Sequence, residues 1–154
     1  MIKINDLADY IITKLSEGGE SLNNLKLQKL TYYCDAWHLA FYDKKLVDTD
    51  FQAWIHGPVC RELYDRFSSS KSLYSEIYLS DCADDFNMDS VSAYSSHIDA
   101  ILEAYGKFSG AQLEEMTHRE KPWLEARQGY RSSQRCEEYL DNSIIRDYYK
   151  SRLS

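Results

Sequence analysis

The side chains able to do chemistry near neutral pH are few and scattered. Histidine is the residue whose ordinary pKa lies closest to 7, and the chain carries His38, His56, His97 and His118, each isolated from the others. His38 and His118, brought together with Asp35 or Glu120, would make an imidazole–carboxylate metal site. Nothing in their spacing brings them together, so each is expected to bond to nearby backbone or water. No Gly-rich phosphate loop, GxSxG elbow or HExxH pair occurs. Cys34, Cys60, Cys82 and Cys136 lack the close spacing of zinc knuckles and redox motifs. Cys34 and Cys60 fall within helical patterns and are expected to be buried free thiols. The expectation is therefore a protein without catalytic residues, metal or cofactor.

The totals agree with that direction. The chain has 154 residues, 44% hydrophobic and 28% charged, with 13 tyrosines and three tryptophans. This is the composition of one globular domain, residues 1–154, able to bury a sizeable core. Aromatic mass serves cores and protein interfaces alike. A net charge of −7 opposes nucleic-acid binding, which needs clustered Lys and Arg. The same acidity suits a basic protein partner. Asp6, Asp9 and Lys14 interrupt any cleavable apolar leader, so the expected location is the cytoplasm.

The element that must position everything else is the stretch 25–42. Leu27, Leu30, Cys34, Trp37 and Phe41 recur at alternating steps of three and four, one face of a helix. Leu25, Tyr32, Tyr33, Ala36, Leu39 and Ala40 fill most of the remaining circumference, the pattern of a buried central helix. Asn23 and Asn24 are N-cap candidates. Lys26, Lys29, Asp35 and His38 oppose a membrane span.

Around it the chain predicts further helices. Asn5 is the expected cap of a first helix ending at Gly18–Gly19. Phe51, Ala53 and Ile55 alternate with Gln52 and Trp54 as a short strand. Pro58 is expected in the first turn of a helix carrying Val59, Leu63 and Phe67. Ile77–Tyr78–Leu79 reads as a second short strand. Val91, Tyr94, Ile98, Ile101 and Tyr105 form another helical stripe, with Tyr10, Tyr94 and Tyr105 expected in the core. Ser109 and Gln112 make a capping box, Pro122 restarts the chain, and Asp141 or Asn142 caps a last helix with Ile144, Ile145, Tyr148 and Leu153 inward. The predicted fold is mainly α, a single multi-helix domain around a buried central helix, with a small extended element.

Three segments carry a family resemblance: Leu25 to Tyr33 with Ala36 to Tyr42, then Ala53 to Val59, then Leu113 to Trp123. Their order and spacing resemble the Panacea domain, the SocA-like antitoxin or GepA phage-associated family, whose pattern runs approximately LKLQKLLYYxQxWHLA, AWxxGPV and LSxLTHxExPW. The matching positions are Leu27, Gln28, Lys29, Leu30, Tyr33, Trp37 and His38; Ala53, Trp54, Gly57, Pro58 and Val59; and Thr117, His118, Pro122 and Trp123. Cys34 and Asp35 depart from the pattern, as do Ile55 and His56, which stand where Lys–Tyr is common. The resemblance covers essentially the whole chain. It implies a bacterial or phage antitoxin that neutralises a protein toxin, encoded by an adjacent gene, through direct binding. A phage or mobile-element adaptor presenting a partner to a host factor or protease is the alternative it allows. Some relatives add a DNA-binding region, which this chain is expected to lack. Trp37, Trp54 and Trp123 are expected to build scaffold. The interface is expected from the pattern-poor segments 68–88 and 129–140, rich in Ser, Tyr, Asp and Arg.

Overall fold

The computed structural model describes residues 1–153. Helix α2, Asn24–Tyr42, runs through the centre and is buried on nearly every side, including Lys26, Gln28, Lys29, Thr31 and Asp35. The Asn23 side chain accepts from the Lys26 amide at 2.8 Å, and Asp43 ends the helix in the left-handed conformation. Packed round α2 are α1 (Ile4–Glu17), α4 (Ser95–Tyr105), α5 (Gly110–His118) and α7 (Asn142–Ser151). Helices α3 (Arg61–Phe67) and α6 (Lys121–Ala126) complete the shell. The architecture is mainly α. No described helix is long and apolar enough to cross a membrane.

The only described sheet is a hairpin of β1 (Gln52–Trp54) and β2 (Gly57–Val59), antiparallel, with Ala53 opposite Pro58. Pro58 therefore lies in a strand, and α3 begins three residues later than the expected helix. The strand tolerates proline because Ala53 turns its own backbone groups outward: its amide donates to Glu138 O and its carbonyl accepts from Arg127. The Ala53–Pro58 pair needs no hydrogen bond between the strands. Gly57 turns the hairpin at φ +90°.

Several expectations move. Lys3, not Asn5, is the N-cap of α1 and makes no side-chain bond. The Asn5 side-chain oxygen instead faces Arg66 Nη1 at 3.5 Å. Residues 77–79 form no strand: Leu79–Asp81 is a 3-10 turn, and the segment before it is tied across the start of α2, where Ile77 N donates to Leu22 O. Tyr94 ends a 3-10 stretch, Met88–Tyr94, and is only half-buried, while Tyr10 and Tyr105 are buried. Phe41 is 49% exposed, because it and Tyr42 take the outward side of the last turn of α2 while Leu39 and Ala40 take the inward side. In α7 the buried pair is Ile145 and Tyr149, with Ile144 and Tyr148 half-covered and Leu153 exposed. A tyrosine reaches the centre there because its hydroxyl finds partners. The capping box at Ser109 and Gln112 forms, as does the Asp141 cap.

Candidate interaction surface

Polar side chains from the central helix and from the α5–α6 region converge on the carbonyls of the β1–β2 hairpin. Gln28 holds Cys60 on both sides, its amide nitrogen donating to Cys60 O (3.1 Å) and its oxygen accepting from Cys60 N (2.8 Å). Lys29 Nζ donates to Pro58 O (2.9 Å), His118 Nε2 to Ile55 O (2.8 Å), Trp123 Nε1 to Trp54 O (2.7 Å) and Arg127 Nη1 to Ala53 O (2.7 Å). Gly57 is forced by the same packing: a Cβ there would sit 2.6 Å from Lys29 Cε and 2.6 Å from Thr117 Oγ1. Thr117 is itself fixed, its hydroxyl donating to Glu114 O. A short hairpin cannot stand alone in water. These donors supply what further strands would supply in a larger sheet.

Burial sets the charge states in this clamp. Lys29 is fully buried, and loss of hydration lowers its pKa from the ordinary lysine value to about 7, against a smaller opposing pull from Glu114. Burial likewise lowers the His118 pKa, and the ring stacks on Trp123 at 4.2 Å. Arg127 is buried and hydrogen-bonded, donating also to the carbonyls of Arg131 and Gln134 and lying over the Trp123 ring. The sequence pattern does not disclose this role, since Arg127 reads there as the polar end of a short helix.

A second buried network centres on Glu120. Its Oε1 accepts from Tyr33 (2.9 Å) and Tyr149 (2.7 Å), and its Oε2 from Arg152 (3.0 Å). Burial pushes the Glu120 pKa up, partly offset by these donors. Tyr33 stacks on Tyr105 at 4.1 Å, and Trp37 Nε1 donates to the Tyr105 hydroxyl (2.8 Å). Trp37 is thus half-buried scaffold.

These contacts account for the candidate chemical groups. His38 and His118 do not meet. His38 donates to Lys44 O and lies 5.3 Å, ring to ring, from His97, whose Nε2 donates to Cys34 O. Asp35 is occupied by Lys45 and by the amides of Leu46 and Val47. Among the described residues no group of His, Cys, Asp and Glu is arranged to hold a metal. Cys34, Cys60 and Cys136 are buried free thiols, and Cys82 is partly exposed.

What the clamp presents outward is a groove of about 390 Å³ at the hairpin tip, lined by Trp54, Ile55, His56, Tyr64, Leu73 and Cys136 among others. Trp54, half-exposed, packs its ring 4.9 Å from Tyr64 under Arg61. Tyr74, 63% exposed, stands beside His56. The two pattern-poor segments meet here, 68–88 contributing Leu73 to the lining, with Tyr74 beside it at His56, and 129–140 contributing Arg135, Cys136 and Glu137. Trp, Tyr and Arg over a rigid base is the composition of a protein-binding hot spot. Tyr64 belongs to this surface without any sequence signal, since it lies off the buried stripe of α3.

A family model for antitoxin SocA-like, Panacea domain, matches residues 27–124, from the first turn of α2 into α6, and takes in the three motif segments except Leu25 and Lys26. No curated protein and no solved structure matches the chain.

Proposed function

The chain belongs to the SocA-like antitoxin, Panacea domain, family, and from that membership we propose that it is the antitoxin of a toxin–antitoxin pair, neutralising its toxin by binding it directly and without turnover. The observation that carries the reading is the use made of the motif side chains. Gln28, Lys29, His118 and Trp123 spend their hydrogen bonds on the hairpin backbone, a scaffold role, and what they hold in place is an aromatic groove. A pre-formed surface loses little conformational freedom on binding, so more of the contact energy appears as affinity. The toxin is a protein encoded beside this gene, and the encounter takes place in the cytoplasm.

The test is co-expression with each adjacent open reading frame, scored for growth. Rescue from a toxic neighbour supports the reading, and rescue should weaken when Tyr74 and Ile55 are changed to Asp and Lys. A neighbour that is not toxic, or toxicity that persists beside soluble, folded protein, overturns it. Rescue that disappears in a protease-deficient host would instead assign the adaptor role.

A further inference from the structure

The segment that gives Leu73 to the hairpin groove continues into the wall of a second groove of about 320 Å³. Its floor is apolar, formed by the buried Ile12, Leu22 and Ile77, while Tyr78 and Leu79 stand 58% and 53% exposed at its edge. Exposed apolar side chains beside an apolar floor mark a surface suited to being covered. Its rim carries Glu20 and Glu76, both exposed, and neither makes an ion pair among the described residues. The nearby cations are already engaged. Lys71 Nζ donates to Glu76 O, pairs with Asp81 at 3.5 Å and lies over the Tyr78 ring. Lys26, in the adjoining hollow, directs its ammonium to the carbonyls of Gly106 and Ser21 and is attracted more weakly by Glu20, with which it forms no ion pair.

The wall is also pre-formed. Leu25 N donates to Leu73 O (2.7 Å), Asn24 N to Ser75 O (3.0 Å) and Ile77 N to Leu22 O (2.9 Å), so the segment is laced to the start of α2. A rigid trough with an apolar floor, and with Glu20 and Glu76 on its rim outside any ion pair, is complementary to one kind of surface, a segment alternating apolar and cationic side chains. We propose that this groove receives a basic, apolar-bearing segment of the protein partner, with Glu20 and Glu76 pairing its cations while its apolar side chains cover Tyr78 and Leu79. The proposal rests on the antitoxin reading for the existence of a partner and adds the partner's chemistry. The segment 73–79 links the two grooves, Leu73 lining the first and residues 76–79 the second.

The groove's preference is measurable without knowing the toxin. A labelled amphipathic Lys/Leu peptide of about twelve residues and its Glu/Leu counterpart are titrated against the full chain by fluorescence anisotropy. The Lys/Leu peptide should bind, more weakly at high salt, and the Glu/Leu peptide should not. Glu20→Lys with Glu76→Lys should weaken binding about tenfold or more, whereas Asp84→Lys with Asp85→Lys, the same change in net charge on exposed residues elsewhere, should weaken it less than about threefold. Leu79→Ser should weaken it without altering the salt dependence. All these positions are exposed, and circular dichroism confirms that the variants fold. No binding of the Lys/Leu peptide, equal binding of both peptides, or equal effects of the two charge reversals would overturn the proposal. Because the peptide stands in for the partner, a negative result here leaves the growth-rescue test of the antitoxin reading untouched.

Discussion

Gly57→Ala probes whether the motif side chains act as a clamp on the hairpin. Two costs add. An L-residue at φ +90° costs about 1–2 kcal/mol in backbone strain. The new Cβ would also lie 2.6 Å from Lys29 Cε and 2.6 Å from Thr117 Oγ1, and neither atom is free to yield. Lys29 is tied to Pro58 O and Thr117 to Glu114 O. At pH 6, where Lys29 with its pKa of about 7 is protonated, displacing the lysine forfeits a hydrogen bond of the charged class, about 1.5–3 kcal/mol. The sum is roughly 3–5 kcal/mol, a large part of a typical domain's 5–15 kcal/mol. With about 2–4 °C per kcal/mol for a domain of this size, the melting temperature should fall by roughly 6–20 °C. Gly129→Ala is the internal control: its φ is +91° but nothing lies within 4 Å of the added Cβ, so it carries the backbone cost alone. Urea unfolding of both variants separates the two costs. If Gly57→Ala falls within about 0.5 kcal/mol of Gly129→Ala, the steric clamp is refuted.

Two further perturbations test the buried networks. The folded-state pKa of Lys29 is depressed to about 7, so between that value and the ordinary 10.5 the unfolded chain binds a proton that the folded chain lacks. Stability from this group therefore rises with pH across that window and is lost as pH falls through 7, by up to about 1.4 kcal/mol per pH unit. The advantage of the wild type over Lys29→Met in urea unfolding should grow from pH 7 upward, and a pH-independent difference would contradict the burial argument. Tyr149→Phe removes a hydroxyl that donates to Glu120 Oε1 and lies 3.1 Å from the Tyr32 hydroxyl, for a loss of roughly 1–3 kcal/mol. Burial already raises the Glu120 pKa and Tyr149 opposes the rise, so the variant should lose further stability as pH climbs above the ordinary glutamate value of 4.5; a loss independent of pH would remove Tyr149 from the account of Glu120.

The central helix is legible in the sequence because apolar residues occupy nearly its whole circumference, and only a buried helix tolerates that. The Ser109–Gln112 capping box and the Asp141 cap are legible because a side chain bonding two or three residues ahead is a local event. The hairpin is half-legible. Alternation around Ala53 marks β1, but Pro58 carries two readings, and the choice depends on Arg127 and residue 138 taking the outward groups of Ala53 from far along the chain. The inward turn of Tyr149 is hidden for the same reason, since its partners, Tyr32 and Glu120, come from elsewhere in the chain. Trp54 matches a motif position, yet it lines the groove half-exposed while its carbonyl is held from behind by Trp123. Side-chain type marked the tryptophan as important, and tertiary packing decided which side of it faces outward.

The proposed stoichiometric neutralisation by binding is tested most directly by titrating the toxic neighbour's purified product with this protein. Residual toxin activity should fall linearly and reach zero at a fixed molar ratio. Below that ratio the remaining activity should stay constant with time, because each antitoxin molecule is occupied by its partner. Activity that continues to decay in the presence of a substoichiometric amount of this protein would mean turnover, and would contradict the account.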